Sequence, residues 1–326
     1  METLARPGRT CPLSYRYAPE AIGAAAALHA ETLWIAGGLY GNPFALRALL
    51  DAYDADRGSK ALVFNGDFHW FDVDPTDFRQ VNQTVLAFHA LRGNVETEIA
   101  APGEGAGCGC AYPEWVGEAT VEHSNRIIER LQATARSCGI GLARLAALPM
   151  HLAARVGDAT IGIVHGDAAS LAGWGFSQEA LATPGGYAAA AGAFAEAGVR
   201  VFASSHTCLP VLQRFENGAV LVNNGAAGMP NFRGTTWGLA SRISLRPCTE
   251  ALYSARCGSV FVEAIALRYD NRAWQERFLA QWERGSDAHS SYWERITHGP
   301  RYEIAQASRQ ATGRGGCART AADSRS

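Results

Sequence analysis

The chain has 326 residues, of which 48% are hydrophobic, 10% aromatic and 18% charged. This length holds one large domain or two ordinary ones, and the apolar half can bury a core large enough to exclude general disorder. The 29 basic and 31 acidic residues give a net charge of −2, which provides no field for gathering nucleic acid or an anionic membrane. We therefore expect no nucleic-acid patch and no membrane partner, and no apolar run is long enough to cross a bilayer.

Several enzyme classes are excluded by missing motifs. Lys60 is the only lysine, and no glycine-rich phosphate loop of the form GxxxxGK[ST] precedes it. Neither a GxSxG nucleophile motif nor an HExxH zinc motif is present. The eight cysteines lack CxxC spacing, which favours a reducing compartment over a disulfide framework and predicts a cytoplasmic protein.

The predicted elements begin after an N-terminal arm, residues 1–30. Short β-branched and aromatic runs then alternate with helical patterns, which predicts an α/β core with buried parallel strands. Strands are predicted at Thr32–Gly37, Ala61–Gly66, Val85–Gly93, Ile161–Gly166 and Val199–Ser205. Helices are predicted at Pro43–Tyr53, Glu118–Ala135 and Gln178–Gly198.

The rhythm changes after residue 205, where four apolar runs follow each other closely, as antiparallel strands do. These strands are predicted at Val211–Phe215, Ala219–Val222, Trp237–Leu245 and Ser259–Tyr269. A main domain over residues 31–270 is followed by a helical extension over residues 271–306, with helices at Arg272–Arg284 and Ser291–Ile296. The Ser/Thr/Arg/Gly-rich tail at residues 307–326 is predicted to be disordered.

Four predicted strands are each followed by a potential metal ligand, namely Asp67, Asn94, His165 and His206. Ligands bind outside the carboxyl ends of strands in open α/β sheets, so these side chains are expected to converge. A carboxylate, an amide oxygen and two imidazoles suit Mn²⁺, Fe²⁺ or Zn²⁺. Taken singly, each residue has a plain alternative, because Asp and Asn are common in turns and a lone histidine is often a core residue.

The motifs around these residues, taken together and in chain order, resemble those of the calcineurin-like metallophosphoesterases. The matching segments are Gly38-Leu39-Tyr40-Gly41-Asn42, Gly66-Asp67, Gly93-Asn94-Val95-Glu96, His165-Gly166-Asp167, Ser205-His206-Thr207-Cys208 and Asn223-Asn224-Gly225-Ala226. The resemblance spans residues 31–232. It implies an α/β fold in which two mixed β-sheets are flanked by helices in a four-layer αββα sandwich, with a metal centre at the strand ends.

The resemblance implies one complete metal site and one broken site. Asp67, Asn94, His165 and His206 match the four ligands of one metal ion. The second ion of the family needs an Asp-x-His motif and the last histidine of His-Thr-His, where this chain has Gly38, Tyr40 and Cys208. We expect one divalent ion. For Tyr40 and Cys208 two interpretations stay open: they hold a second ion of different character, or they only fill the vacated volume.

Other residues are candidates for substrate contact and proton transfer. His69 and Glu96 are the candidate proton donors or acceptors, since the family's histidine after the asparagine is Val95 here; a plain alternative for His69 is a bond to a backbone carbonyl. Asn42, Arg92 and Trp174 are candidate substrate-binding residues, and Arg233 is a further phosphate-contact candidate. The stretch Gly103–Tyr112 is predicted to be a flexible substrate loop in which Cys108 and Cys110 pack locally.

These features predict metal-dependent hydrolysis of a phosphomonoester or phosphodiester by metal-activated water, on a small phosphorylated substrate. The alternative is a degenerate relative of these hydrolases that binds a phosphorylated ligand or a protein partner without turnover. The sequence does not indicate an oligomeric state.

Overall fold

Two mixed β-sheets face each other between layers of helices, which confirms the predicted α/β sandwich. The computed structural model of the chain describes residues 6–24, 26–102, 105–139 and 141–311. Within these residues the strands are β1 Ala26–His29, β2 Thr32–Ala36, β3 Lys60–Asn65, β4 His89–Leu91, β5 His151–Val156, β6 Ala159–Val164, β7 Val201–Ser204, β8 Val211–Arg214, β9 Val220–Asn223, β10 Gly238–Ser244, β11 Tyr253–Cys257, β12 Val260–Leu267 and β13 Ser308–Arg309.

The helices pack on the outer faces of both sheets. They are α1 Glu20–Gly23, α2 Pro43–Ala55, α3 Pro75–Val85, α4 Asn94–Ala100, α5 Glu118–Ser137, α6 Leu142–Ala146, α7 Pro184–Ala197, α8 Asn271–Gln281, α9 Asp287–His298 and α10 Ile304–Ala307. Short 3₁₀ turns occur at Leu13–Tyr15 and Ala180–Ala182. No helix among the described residues is long and apolar enough to span a membrane.

The six-stranded sheet has the order β11-β12-β10-β2-β3-β4, and the seven-stranded sheet has the order β1-β5-β6-β7-β9-β8-β13. In the first sheet β2, β3 and β4 are parallel, whereas β10, β11 and β12 are antiparallel. In the second sheet β6, β7 and β9 are parallel to one another. The carboxyl ends of β3 and β4 therefore meet those of β6 and β7 along one edge of the sandwich.

Buried side chains form three layers of core. Leu33 and Ile35 of β2 face the other sheet and pack with Ile161 of β6, while the alternate residue Trp34 faces the helices. Phe202 of β7 packs on the far side, under α1 and α7. Because both faces of these strands are covered, their sequences are continuously apolar rather than alternating.

Helix α3 accounts for the main departure from the predicted elements. The predicted strand Val85–Gly93 is shortened to β4, because residues 75–85 form a helix that ends at Val85. Asp74 caps that helix by accepting the backbone N–H groups of Thr76 and Asp77, and Pro75 occupies its first turn.

The C-terminal helical extension packs against the main core. Trp274 and Phe278 of α8 are fully buried in the same core layer as α2 and α3. The predicted disordered tail begins at residue 307, yet β13 pairs in parallel with β8. Residues 312–326 lie outside the described part of the chain.

Candidate metal site

The four predicted ligands lie at the edge where the two sheets meet. Asp67 and Asn94 follow β3 and β4 of the six-stranded sheet, and His165 and His206 follow β6 and β7 of the seven-stranded sheet. All four residues are buried, each at most 7% exposed. Neither sheet alone carries the set, so the site exists only when the two sheets are packed together.

His165 is at the centre of the cluster. Its Nε2 lies 3.3 Å from Asp67 Oδ2, 3.2 Å from Asn94 Oδ1 and 3.3 Å from His206 Nδ1. The ligand atoms of the aspartate and the two histidines all lie within 4.8 Å of one another, which is close enough to share one cation. The structure thus brings together all four side chains that the sequence singles out.

Backbone carbonyls fix the orientation of three of these side chains. Asn65 O accepts His165 Nδ1–H at 2.8 Å, Cys110 O accepts His206 Nε2–H at 2.9 Å, and Cys108 O accepts the Asn94 amide N–H at 2.9 Å. A carbonyl only accepts hydrogen bonds, so the opposite atom of each side chain turns its lone pair towards the centre of the cluster. This is how outer partners orient metal-binding histidines.

The lone pairs that face each other fit a cation. Three acceptor atoms surround His165 Nε2, namely Asp67 Oδ2, Asn94 Oδ1 and His206 Nδ1. The only hydrogen that these side chains can place among the three acceptors is a single proton on His165 Nε2. Burial disfavours the charged form of His165, but the Asp67 carboxylate more than offsets this and raises its pKa. Burial and the nearby His165 lower the pKa of His206 to about 4, so His206 is neutral and free to bind a metal.

Glu96 holds the turn that carries Asp67. Its Oε2 accepts the backbone N–H groups of Asp67 and Gly93, each at 2.8 Å, and its Oε1 accepts those of Phe68 at 3.0 Å and His69 at 3.3 Å. The carboxylate is fully buried and its oxygens are occupied. This placement corrects the predicted role in proton transfer: Glu96 positions the ligand turn and does not face the pocket.

Backbone strain is concentrated around the site. Among the described non-glycine residues, a positive φ occurs at Tyr40 (55°), Asp67 (52°), Ala111 (48°) and Cys208 (62°). Three of these line the pocket, and Ala111 follows the pocket residue Cys110. Each such conformation costs about 1–3 kcal/mol and persists only where the surrounding structure imposes it, which is typical of functional sites.

The volume of the family's second metal site is filled by a tyrosine ring. A Cβ atom on Gly38 would lie 2.1 Å from Tyr40 Cζ, so the ring occupies the space of the missing Asp side chain. The Tyr40 hydroxyl lies 2.8 Å from Cys208 Sγ. Burial raises the pKa of Tyr40 and that of Cys208, so both groups are protonated in the metal-free protein. Of the two interpretations, the geometry supports filling of vacated volume.

This interpretation predicts strong coupling between residues 38 and 40. Gly38→Ala should lower the free energy of unfolding by about 1–3 kcal/mol, because its methyl group overlaps the Tyr40 ring. In a Tyr40→Ala background the same substitution should cost far less, with a coupling of about 1 kcal/mol or more. Denaturant unfolding of the two single variants and the double variant measures this. Additive losses would contradict the packing account.

The site opens into a small pocket with aromatic walls. Its cavity of about 70 Å³ has room for only a few water-sized groups, so a phosphoryl group would enter while larger substituents extend outward. The lining residues are Tyr40, Asp67, Trp70, Asn94, Val95, Cys110, Tyr112, Trp174, His206, Thr207, Cys208, Met229 and Tyr292. No lysine or arginine within the described ranges lines it.

The predicted substrate residue Trp174 does line this pocket. Its ring packs edge-on against His206 at a centroid distance of 5.6 Å, and its Nε1 donates to Cys110 O at 3.1 Å. Tyr112, the last residue of the predicted substrate loop Gly103–Tyr112, forms part of the wall. Tyr292 of α9 is a wall that sequence reasoning missed, because no local signal in the sequence connects α9 with the strand ends.

The other predicted substrate residues lie outside the pocket, which corrects their predicted roles. Asn42 is fully buried and caps α2: its Oδ1 accepts the N–H groups of Phe44 and Ala45, each at 3.0 Å. Arg92 donates from Nη1 to Ala146 O at 2.5 Å. Arg233 is at the surface, 3.0 Å from Glu303.

His69 is also placed away from the pocket, which corrects its predicted role as a general acid. Its Nδ1 lies 2.6 Å from the Asp72 carboxylate and its Nε2 lies 3.4 Å from Asn82 Oδ1. The ring is fully buried and stacks on Phe78 at 3.9 Å. Both nitrogens have side-chain partners, so neither the general-acid role nor the alternative bond to a backbone carbonyl applies.

Comparison of the sequence with protein-family models and with curated proteins gives no match. Comparison with solved structures does. A hypothetical protein from Pyrococcus horikoshii superposes with a TM-score of 0.57 at 15% identity, covering 83% of this chain and 99% of the other. A metallophosphoesterase from Sphaerobacter thermophilus superposes with a TM-score of 0.53 at 18% identity, covering 83% of this chain and all of the other.

These similarities and the strand-end site define the class of the structure. The chain has the calcineurin-like metallophosphoesterase fold, as the motif order predicts. At these identities the likeness concerns the fold alone. What the site does is therefore inferred from its own residues.

Proposed function

We propose that this protein is a metal-dependent phosphoesterase with a single divalent ion held by Asp67, Asn94, His165 and His206. The observation that carries the proposal is the convergence of four lone pairs on one point, three of them fixed from behind by backbone carbonyls. When bound, a divalent ion would polarise a phosphoryl oxygen and acidify water. A metallophosphoesterase fold around such a donor set supports hydrolysis. The metal would be Mn²⁺, Fe²⁺ or Zn²⁺.

The pocket favours a monoanionic diester over a dianionic monoester. Asp67 brings one negative charge to the lining, no lysine or arginine of the described chain lines the pocket, and the Arg295 guanidinium behind the wall is engaged by the Cys208 carbonyl at 3.0 Å. One divalent ion beside that carboxylate leaves a single positive charge, which a diester anion neutralises. A monoester dianion would leave one uncompensated charge in a largely buried site, and that is costly.

Among the described residues, none that lines the pocket is suited to protonate a poor leaving group. Val95 lines the wall where the family has its histidine, and burial raises the pKa of Tyr112 to about 12, which makes it a weak acid at neutral pH. We therefore propose that aryl esters, whose phenolate leaves without protonation, react much faster than alkyl esters. The aromatic walls formed by Trp70, Tyr112 and Trp174 suit such substituents.

Assays with bis-p-nitrophenyl phosphate and p-nitrophenyl phosphate, each with Mn²⁺, Fe²⁺ and Zn²⁺, test the proposal. We expect metal-dependent release of nitrophenol that is faster from the diester and that disappears in a His206→Ala variant. Equal or faster hydrolysis of the monoester would contradict the charge argument. Hydrolysis that survives chelation would contradict the metal site.

The second candidate is a binding protein without turnover. One observation favours it: the Tyr40 ring occupies the volume of the second metal site. The paired ions of two-metal enzymes clamp both the attacking and the leaving oxygens, and a protein with one ion lacks this clamp. This candidate would be supported if the protein binds metal but hydrolyses neither ester with any of the three ions. Its ligand would be a phosphorylated molecule or a protein partner.

The raised pKa of His165 predicts how metal binding depends on pH. The free protein keeps a proton on His165 Nε2, and a metal ion must displace it. Affinity should therefore weaken about tenfold per unit as the pH falls below the His165 pKa, which lies above the usual value of about 6.5. His206, with its pKa lowered to about 4, adds no second proton in this range.

Calorimetry of Mn²⁺ binding in buffers of different ionisation enthalpy counts the protons released. We expect one proton per ion below the pKa of His165 and none well above it. Release of two protons, or an affinity that does not change with pH, would contradict the assigned protonation states.

We also propose a cytoplasmic location and a small phosphorylated substrate as the partner. Five described cysteines are free thiols, which fits the reducing compartment expected from the sequence. Full oxidation of these thiols in protein isolated under thiol-blocking conditions would argue against that location.

A further inference from the structure

The loop between α4 and α5 contains a disulfide between Cys108 and Cys110, where the sequence favours free cysteines. We propose that this pair is a positioning element of the metal site: the closed disulfide holds two ligands in register, and its reduction weakens metal binding. The inference rests on the proposed metal site, and it assigns a role to a Cys-x-Cys segment that the hydrolysis itself does not use.

The contacts run directly from the bonded pair to the ligands. The Cys108 carbonyl accepts the Asn94 amide N–H, and the Cys110 carbonyl accepts His206 Nε2–H, each at 2.9 Å. The Cys110 carbonyl also accepts Trp174 Nε1–H at 3.1 Å. Two of the four ligands, and one pocket wall, therefore take their orientation from the main chain of the two bonded residues.

Hydrogen bonds to other parts of the chain anchor this segment on both sides of Cys110. The Cys108 N–H donates to Asn125 Oδ1 at 2.9 Å, and the Tyr112 N–H donates to Gly8 O at 2.9 Å. Between these two anchors, the Cys110 carbonyl contacts His206 and Trp174. The cross-link adds a covalent restraint on residue 110 itself, and without it we expect the Cys110 carbonyl to move relative to His206.

The pair is open to reagents through the pocket. Cys108 is fully buried, whereas Cys110 is 6% exposed and lines the cavity beside Asp67 and His206. A small thiol that enters there can attack Cys110 Sγ and release Cys108 as its thiol. A second thiol molecule then displaces the first, so two external thiols become one disulfide and both cysteines gain a hydrogen. In a reducing compartment, disulfides of this kind are usually redox-active rather than structural.

The test measures the Mn²⁺ affinity of the full chain by calorimetry, before and after a phosphine reduces the disulfide. The phosphine is oxidised to a phosphine oxide, and water supplies the oxygen. Excess phosphine is removed, and alkylation followed by mass spectrometry verifies the state of the pair. Mn²⁺ is the probe because Zn²⁺ would bind the freed thiolates. We expect reduction to weaken the affinity about 10- to 100-fold, the range for loss of partners that orient ligands.

A metal-independent readout accompanies the affinity. Amide hydrogen exchange over residues 105–112 of the metal-free chain should speed up on reduction. A Cys108→Ser/Cys110→Ser variant should match the reduced wild type in both readouts and should not respond to the phosphine. A Cys248→Ser variant, which removes a free cysteine, should keep the full response.

Unchanged Mn²⁺ affinity in a chain whose pair is verified as reduced would overturn the positioning role while leaving the metal site intact. A pair that stays reduced in protein with full Mn²⁺ affinity would do the same. If neither form binds Mn²⁺, the proposed metal site itself fails, and this inference falls with it.

Discussion

Asp67→Asn is expected to reduce the metal affinity by about 100-fold or more, and to lower diester turnover by on the order of 1,000-fold. The substitution removes the only anionic ligand while keeping the shape of the side chain. Asparagine tolerates the left-handed backbone that residue 67 adopts, with its φ of 52°, and its amide oxygen can still accept the Val95 N–H. The fold should therefore survive, and calorimetry with Mn²⁺ measures the loss.

Asp167→Asn is the matched control for this substitution. Asp167 also follows a strand, β6, but its carboxylate accepts the backbone N–H groups of Ala169, Ser170 and Gly175 and does not line the pocket. We expect metal affinity within about twofold of the wild type. Equal losses in the two variants would mean that Asp67 is not a ligand.

Glu96→Ala is expected to give the largest loss of stability, at least about 3 kcal/mol in the free energy of unfolding. The carboxylate is fully buried and accepts four backbone N–H groups, and alanine leaves all four without an acceptor. Because these groups form the turn that carries Asp67, metal affinity should fall as well. Guanidinium unfolding and Mn²⁺ titration measure the two effects.

Glu129→Ala is the control, since Glu129 is an exposed residue in the middle of α5. It should change stability by less than about 0.5 kcal/mol. A Glu96 variant as stable as this control would contradict the assigned role, and would return Glu96 to consideration as a group that exchanges protons with substrate.

The ligand set could be predicted from the sequence because it depends on strand ends. Each of the four residues lies within three residues of the end of a strand, and the parallel pairs β3–β4 and β6–β7 bring those ends to one edge. The motif order added the expectation of the fold. Neither the strand ends nor the motif order depends on the conformation of a loop, so both can be read from the sequence without a structure.

His69 shows where this reasoning fails. Its position two residues after Asp67 places it near the site along the chain, but Asp72, Asn82 and Phe78 together turn its ring into the core. The partner residues on α3 are set by packing, which sequence spacing does not specify. Trp70, one residue further along, is the residue of this segment that lines the pocket.

The sequence carries a recognisable signal for the capping role of Asn42 and for the start of α3. Asn42-Pro43 and Asp74-Pro75 are both a capping residue followed by proline, the pattern of a helix start. A capping asparagine uses its side-chain oxygen on the backbone, which leaves it little capacity for a phosphate. Tyr292 carried no such signal, because its place in the pocket depends on how α9 packs against the main core.

Elemental analysis of the purified chain, after equilibration with Mn²⁺ and removal of unbound metal, tests the central account most directly. Four side chains converging on one point, with the Tyr40 ring filling the neighbouring volume, predict one ion per chain in the wild type and a large loss of that ion in Asp67→Asn. Two tightly bound ions per chain, or one ion that persists unchanged in Asp67→Asn, would contradict it.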